Sequence, residues 1–432
     1  LDVFAPSSAT KASKLPVFFF LQGGGFNANS NPNLNGSGLI AASDMNIVVV
    51  EINYRVGPYG FIAGSEIESA NNGLRDQRKA LEWVQKYIHL FGGNPKHVVM
   101  GGDSAGAASV TLQLTAFGGR NDNLFHGTAA ESQSFATVLT VNESQYQYDN
   151  LVIRTGCVGA SSTLSCLKNK TGAEIQEVNF NTPYPGAQAP PLYMWNPVID
   201  NDFITSLTYS AFASGKFVHV PVIFGDDTNG GTIFTPRNTS SYAESDWFLQ
   251  NQFPYLTLEQ LSEINSIYPQ VGPLYNNSGP FWRQVSNAYG EIRYLCPGLF
   301  CSSAFSNRSI PSWNYHYNVE DPAQIAEGYG VPHTVEVNAI WGPEYVGGTA
   351  PASYNTTNAD VVPIIQGYWT SFIRSLNPNT YRMAGTPTWE QWTSAGMERL
   401  LFNTSGPVME TVDQGQRARC AYLSGIGVSV RQ

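Results

Sequence analysis

The sequence predicts an α/β protein built on a mostly parallel central sheet. Three observations predict it: unbroken apolar runs of strand length recur, an amphipathic helix separates two of them, and the first and third run straight into glycines. Leu15 to Gln22 (LPVFFFLQ) is the first run and ends in Gly23-Gly24-Gly25. Asn46 to Tyr54 is the second, rich in Val and Ile, and His97 to Met100 the third. Runs without alternation fit strands buried on both faces. Between the second and third, Gly73 to Phe91 places Leu74, Ala80, Leu81, Val84, Ile88 and Leu90 at helical spacing. Further strands are expected at Thr128 to Ser132, Pro221 to Gly225 and Trp313 to Val319. The Asn- and Pro-rich stretch from Asn142 to Val220 reads as an excursion over the sheet. With no repeat, charge block or linker to divide it, the chain is expected to form one domain over residues 1–432.

Composition narrows the class of function. The 432 residues include 33 acidic and 23 basic side chains, a net charge of −10. No basic excess exists to neutralise phosphates, so nucleic acid is not an expected partner. No apolar run reaches the eighteen or so residues of a membrane span. Charged residues make up only 13%, against roughly 25% in average chains. That scarcity joins eight Asn-x-Ser/Thr sites, at Asn35, Asn142, Asn169, Asn238, Asn276, Asn307, Asn355 and Asn403, and five cysteines, enough for two pairs. Together they point to a secreted, extracellular protein with disulfides and candidate glycosylation sites. The chain opens Leu1-Asp2-Val3-Phe4, like a strand already under way, so a preceding segment is expected to have been removed.

The chemistry lies in Gly102-Asp103-Ser104-Ala105-Gly106. A G-x-S-x-G alone is a weak signal. Here a short strand precedes it and Ala107 to Ala116 continues as a helix, the strand–turn–helix that lifts a serine hydroxyl out of the top of a sheet. Ser104 is therefore the candidate nucleophile. Gly23-Gly24-Gly25 follows another strand, where bare backbone N–H groups, with that of Ala105, could hold an oxyanion. Of six histidines, His89, His97, His126, His219 and His316 read as structural or surface residues. His333 follows the Tyr329-Gly330-Val331-Pro332 loop after the last long strand, where a hydrolase of this chain order carries its general base. No H-E-x-x-H or C-x-x-C is present, and the glycine loop lacks the Lys-Ser/Thr ending of a phosphate loop. No metal or cofactor is expected.

Gly23-Gly24-Gly25-Phe26, the Gly73 to Gln85 helix, Phe91-Gly92-Gly93-Asn94-Pro95, the turn around Ser104 and Gly225 through Phe234 together resemble the type-B carboxylesterase/lipase family. That family includes the cholinesterases, and the resemblance is greatest to its extracellular fungal esterases. It implies an α/β-hydrolase fold, an acyl-enzyme mechanism on a small ester and oxyanion donors at Gly24, Gly25 and Ala105. Its H-x-x-E is matched by His333-Thr334-Val335-Glu336. Disulfides Cys157–Cys166 and Cys296–Cys420 are also implied, leaving Cys301 odd. The resemblance further implies that a family N-terminal segment with the first strand is absent here, and that segment is expected to accompany the chain as a longer precursor or a cleaved, associated piece. Gln22 stands where many members have His or Tyr, and Asp103 where Glu is commoner.

One departure bears on mechanism. The family's acid falls on Gly230, in Gly225-Asp226-Asp227-Thr228-Asn229-Gly230-Gly231-Thr232-Ile233-Phe234. Three readings stay open: Glu336 or, second, Asp227 substitutes; the protein is an impaired hydrolase kept for binding; or the recorded residue differs from the natural one. The first reading expects a carboxylate within about 3.2 Å of His333, or one bridging water.

Overall fold

The structure, a computed structural model, describes residues 1–29, 34–272, 274–348 and 350–432. Nine strands form the central sheet: β1 (Asp2–Phe4), β2 (Leu15–Leu21), β3 (Val48–Ile52), β4 (Gly93–Asp103), β5 (Gly127–Glu131), then, past a small β6/β7 pair (Leu139–Thr140 and Val198–Ile199), β8 (Val222–Asp227), β9 (Ser312–Asn318), β10 (Glu398–Asn403) and β11 (Val408–Thr411). Their order is β1-β3-β2-β4-β5-β8-β9-β10-β11. All pairings from β3 to β10 are parallel, and only the edge strands β1 and β11 run antiparallel. This is the α/β-hydrolase architecture. Of this sheet, the sequence reading missed β10 and β11, while β1 falls within the strand expected at the start of the chain. The strand at Trp313 is not the last, because β10 and β11 follow it.

The unbroken apolar runs are explained by helices on both faces. Along β2, Val17, Phe19 and Leu21 pack on one side with the helices Asn72–Tyr87 and Ala105–Gly119. Phe18 and Phe20 pack on the other with Val335–Trp341 and Val361–Ser375. All five side chains are at most 3% exposed, and burying each contributes roughly 1.5–3 kcal/mol. A third apolar cluster, over helices Tyr242–Gln252, Leu258–Ile267, Trp282–Gly290 and Gln414–Gly425, covers the chain around the β8 turn. Disulfides join Cys157 to Cys166 and Cys296 to Cys420, while Cys301 is buried and free. The excursion over Asn142 to Val220 carries four short helices and β7, joined by loops.

Parallel strands aim their C-terminal ends at one edge, where open α/β sheets gather their ligands. The glycine loop after β2, Ser104 after β4, Ser132 after β5 and the Thr228–Gly231 turn after β8 all leave from that edge. No described helix is long and apolar enough to cross a membrane.

Candidate active site

Ser104 sits between β4 and its helix with φ 54° and ψ −116°, a backbone conformation that costs a non-glycine residue about 1–3 kcal/mol. Close packing forces it. A Cβ at Gly106 would lie 1.8 Å from Leu21 O, and one at Gly102 would lie 2.6 Å from the Gly106 carbonyl carbon. Only glycines let β4 reverse into the helix so tightly against β2. The glycine loop reaches the same place, because a Cβ at Gly23 would touch Ser104 Cβ at 3.0 Å.

The loop is held without spending the donors that matter. Gly23 N donates to Asp103 Oδ1 at 2.8 Å, and Gly24 O accepts from Asn27 N and Ala28 N at 3.0 Å each. Among the described residues, the N–H groups of Gly24, Gly25 and Ala105 donate to no protein acceptor. Gly24 and Gly25 have φ of +99° and +61°, so their amides take directions that other residues rarely allow. Three bare donors border Ser104, as an oxyanion requires.

His333 lies in the loop before the helix Val335–Trp341 and is 6% exposed. Its Nε2 is buried with no hydrogen-bond partner. The Tyr294 ring stacks on the imidazole, centroids 4.1 Å apart and planes inclined by 29°. Phe234 meets it edge-on at 5.4 Å. Burial, and after it the charge of Arg293, hold the His333 pKa down at about 3. An imidazole that reluctant to charge is a poor proton acceptor near neutrality.

The carboxylates considered as substitutes stand elsewhere. Among the described residues no carboxylate oxygen comes within 4.0 Å of either His333 ring nitrogen. Glu336 Oε1 accepts from Tyr315 Oη at 2.9 Å and from Ser132 Oγ at 2.7 Å. Asp227 Oδ2 lies 2.7 Å from the same Ser132 Oγ. One hydroxyl proton cannot serve both, so one carboxyl carries a proton. Burial, then the charge of Glu336, push Asp227 well above the usual carboxylate range. Glu336 and Asp227 are thus tied to each other through Ser132, and the direct contact expected of a substitute is not made. Gly230 itself has room: the atoms nearest a Cβ there belong to Tyr294, the first at 3.3 Å.

Several residues here escaped the sequence reading. Glu131 accepts from the indoles of Trp369 at 3.0 Å and Trp341 at 3.3 Å. With Asp103, Asp226, Asp227 and Glu336 it makes a buried acid group under the strand ends, in which burial and then the neighbouring carboxylates push Glu131, Asp226 and Asp227 well above the usual range. Asp103 is pushed up to about 7, by burial first. A cavity of about 360 Å³ runs from Asp103 and His333 to Gln22 and Glu51. Both Glu51 oxygens are buried and unpaired. Burial, then Asp2, raise its pKa to about 8. Tyr294 and Arg293 come from a π-helical turn, Glu291–Leu295, a local widening of the helix often found at functional sites. Charged residues inside the apolar stretch around Tyr294 were the available signal.

The remaining histidines keep structural company. His97 Nε2 is 2.9 Å from Ile373 O, and His316 lies between Glu410 and Thr228 at 2.8 Å each. Of the eight candidate glycosylation asparagines, Asn403 is half-buried and the other seven are exposed.

This fold with this serine turn defines a carboxylic ester hydrolase of the α/β-hydrolase class. The chain belongs to the carboxylesterase family, whose model matches residues 1–422. The structure of Aspergillus niger EstA is 42% identical in sequence and superposes with a TM-score of 0.96, covering 100% of this chain and 84% of that one. Secreted lipase 1 of Botryotinia fuckeliana is 30% identical over 432 aligned residues, 94% of this chain and 72% of that protein. Secreted lipase 4 of Gibberella zeae is 29% identical over 407, 90% and 70% respectively.

Proposed function

We propose that this chain is a secreted serine carboxyl-ester hydrolase that works through an acyl-enzyme on short- to medium-chain esters. Ser104 Oγ attacks the ester carbonyl while its proton passes to His333. The carbonyl oxygen, now an anion, is received by the N–H groups of Gly24, Gly25 and Ala105. Collapse breaks the bond to the alcohol, which leaves with the proton from His333. Water then repeats the sequence, losing a proton to His333, and frees the acid and Ser104. The strained Ser104 backbone beside three uncommitted amides is the observation that carries this reading. Secretion is supported by the relatives described as secreted lipases and by the exposed Asn-x-Ser/Thr sites. The two disulfides agree with it.

Tyr193 favours the short end of the acyl range. Its ring occupies the place a Cβ on Gly25 would take, at 2.3 Å, and faces Phe234 with centroids 6.5 Å apart. A mass measurement after reaction with a fluorophosphonate tests the assignment. One adduct, absent from Ser104→Ala, is expected; an adduct that survives the substitution removes the basis for the reading.

A second reading, an impaired hydrolase kept for binding, is favoured by one observation: among the described residues His333 has no carboxylate partner. A chain that binds an aryl ester yet neither hydrolyses it nor takes the fluorophosphonate would decide for it.

A further inference from the structure

The π-helical turn that supplies Tyr294 brings a cation with it. Arg293 is 6% exposed, and its Nε is buried without an acceptor. Among the described residues no carboxylate oxygen comes within 4.0 Å of its guanidinium. A guanidinium cannot escape by losing its proton, and a buried charge without a partner is costly. The group lines a cavity of about 10 Å³ shared with Tyr184, Tyr193, Asn196 and Tyr289. That space takes one body of about the size of a water molecule. The hydroxyls of Tyr184 and Tyr193 make no hydrogen bond among the described residues, so further donors stand on the same wall.

Position gives the charge a consequence. The neighbouring Tyr294 is stacked on His333, and the Arg293 charge is felt at that imidazole. His333 must become an imidazolium when Ser104 attacks, and Gly230 offers nothing to offset the charge.

We propose that Arg293 holds one small inorganic anion of halide size in this cavity, and that the bound anion activates ester hydrolysis by cancelling the arginine charge at His333. The activating half rests on His333 being the base; the binding half does not. A water molecule in the same place would also satisfy Asn196 Oδ1, which is buried and unpaired. It would leave the charge of Arg293 as it is.

The full chain is tested in two ways. Crystals grown in sodium bromide are expected to show an anomalous peak within hydrogen-bond reach of Arg293. Hydrolysis of an aryl acetate is followed as sodium chloride replaces sodium gluconate at constant ionic strength. A saturable rise in kcat of about tenfold is expected, equivalent to one pKa unit at His333, with KM little changed. Arg293→Gln should lose both the peak and the chloride response. Should that variant not fold, the bromide and chloride experiments on the unaltered chain still decide. No peak at Arg293, or a variant that responds to chloride as before, overturns the proposal. A peak with chloride-independent rates overturns the activating half. A peak in a protein that neither hydrolyses esters nor takes a fluorophosphonate upholds the site and overturns the esterase reading instead.

Discussion

In the proposed mechanism the oxyanion side and the proton side are built from different materials, and only the first has all its parts in place among the described residues. The proposed donors Gly24, Gly25 and Ala105 would act through backbone, and Ser104 is aimed by backbone, all placed by β2 and β4, whose packing tolerates nothing larger than glycine at 102 and 106. On the proton side, side chains from three separate segments must meet: the turn after β8, the π-helical turn and the His333 loop. There Gly230 contributes no carboxylate, and His333 is enclosed by Tyr294 and Phe234. A backbone device is bound up with folding, so its loss would disturb the core as well. A side-chain device can fail at one position while the fold stands.

The largest effect is expected from completing the proton side. Position 230 does not have the positive φ that would strain a side chain, and Tyr294 need give only a few tenths of an ångström. Gly230→Glu is expected to raise kcat on an activated aryl ester by as much as about 10⁴, the loss seen when other triads lose a correctly charged acid. Glu336→Gln in the unaltered chain should act through stability, since Ser132 and Tyr315, not His333, contact this side chain and would exchange a carboxylate acceptor for a weaker amide oxygen. A Gly230→Glu enzyme no faster than the parent, with Glu336→Gln inactive but folded, would return the acid role to Glu336.

The complementary experiment damages the finished side. Gly25→Ala places a methyl 2.3 Å from the Tyr193 ring on a residue with φ of +61°, so the loop must move its amides. Loss of one oxyanion donor costs roughly 10²–10³ in kcat. Steady-state kinetics should show the fall in kcat, with KM changing far less. If KM changes instead, the glycines hold substrate and do not serve the transition state.

The same division governs what the sequence disclosed. Glycine spacing and apolar runs record backbone demands directly, so the parallel sheet, the Ser104 turn and the glycine loop were all legible. So was the disulfide framework, through family resemblance, and it coincides with the pairs seen. β10 and β11 escaped because β10 opens on the charged pair Glu398-Arg399, leaving only a three-residue apolar run, and β11 is four residues long. The environment of His333 escaped for a different reason. Tyr294 and Arg293 lie about forty residues away in sequence and meet the histidine only through a widened helix turn. Spacing does not encode such a meeting. Glu336 illustrates the converse: its place in an H-x-x-E suggested service to His333, while in the structure two hydroxyls take its Oε1 and its Oε2 is buried without a partner.

A smaller effect tests whether Tyr294 does for His333 part of what an acid would do. The stacked ring fixes the imidazole plane, and its face favours a cation when the imidazolium forms. Aromatic pairs of this kind contribute about 0.5–1.5 kcal/mol beyond burial, so Tyr294→Leu should lower kcat by about two- to twelvefold. Tyr294→Phe keeps the face and should keep the rate. Equal losses in both variants would mean that the hydroxyl, not the ring, matters.

The smallest change is a difference in the shape of a pH profile. His333 is held at about 3 in the folded chain against an ordinary 6.5. Between those values the unfolded chain binds a proton that the folded chain refuses. Stability from this group is therefore full above pH 6.5 and declines as the pH falls toward 3. Catalysis should behave otherwise. The base form persists through that whole window, so kcat/KM of the unaltered chain should change less than about twofold between pH 8 and 5.5. A carboxylate at position 230 would raise the histidine toward its ordinary value. The Gly230→Glu enzyme should then lose about tenfold over the same interval, as expected one pH unit below a pKa of about 6.5. Paired profiles of kcat/KM, with folding monitored by tryptophan fluorescence at each pH, measure the contrast. An acid limb near pH 6.5 already present in the unaltered chain would mean that His333 has a counter-charge in solution, and that the proton side is more nearly complete than its carboxylates suggest.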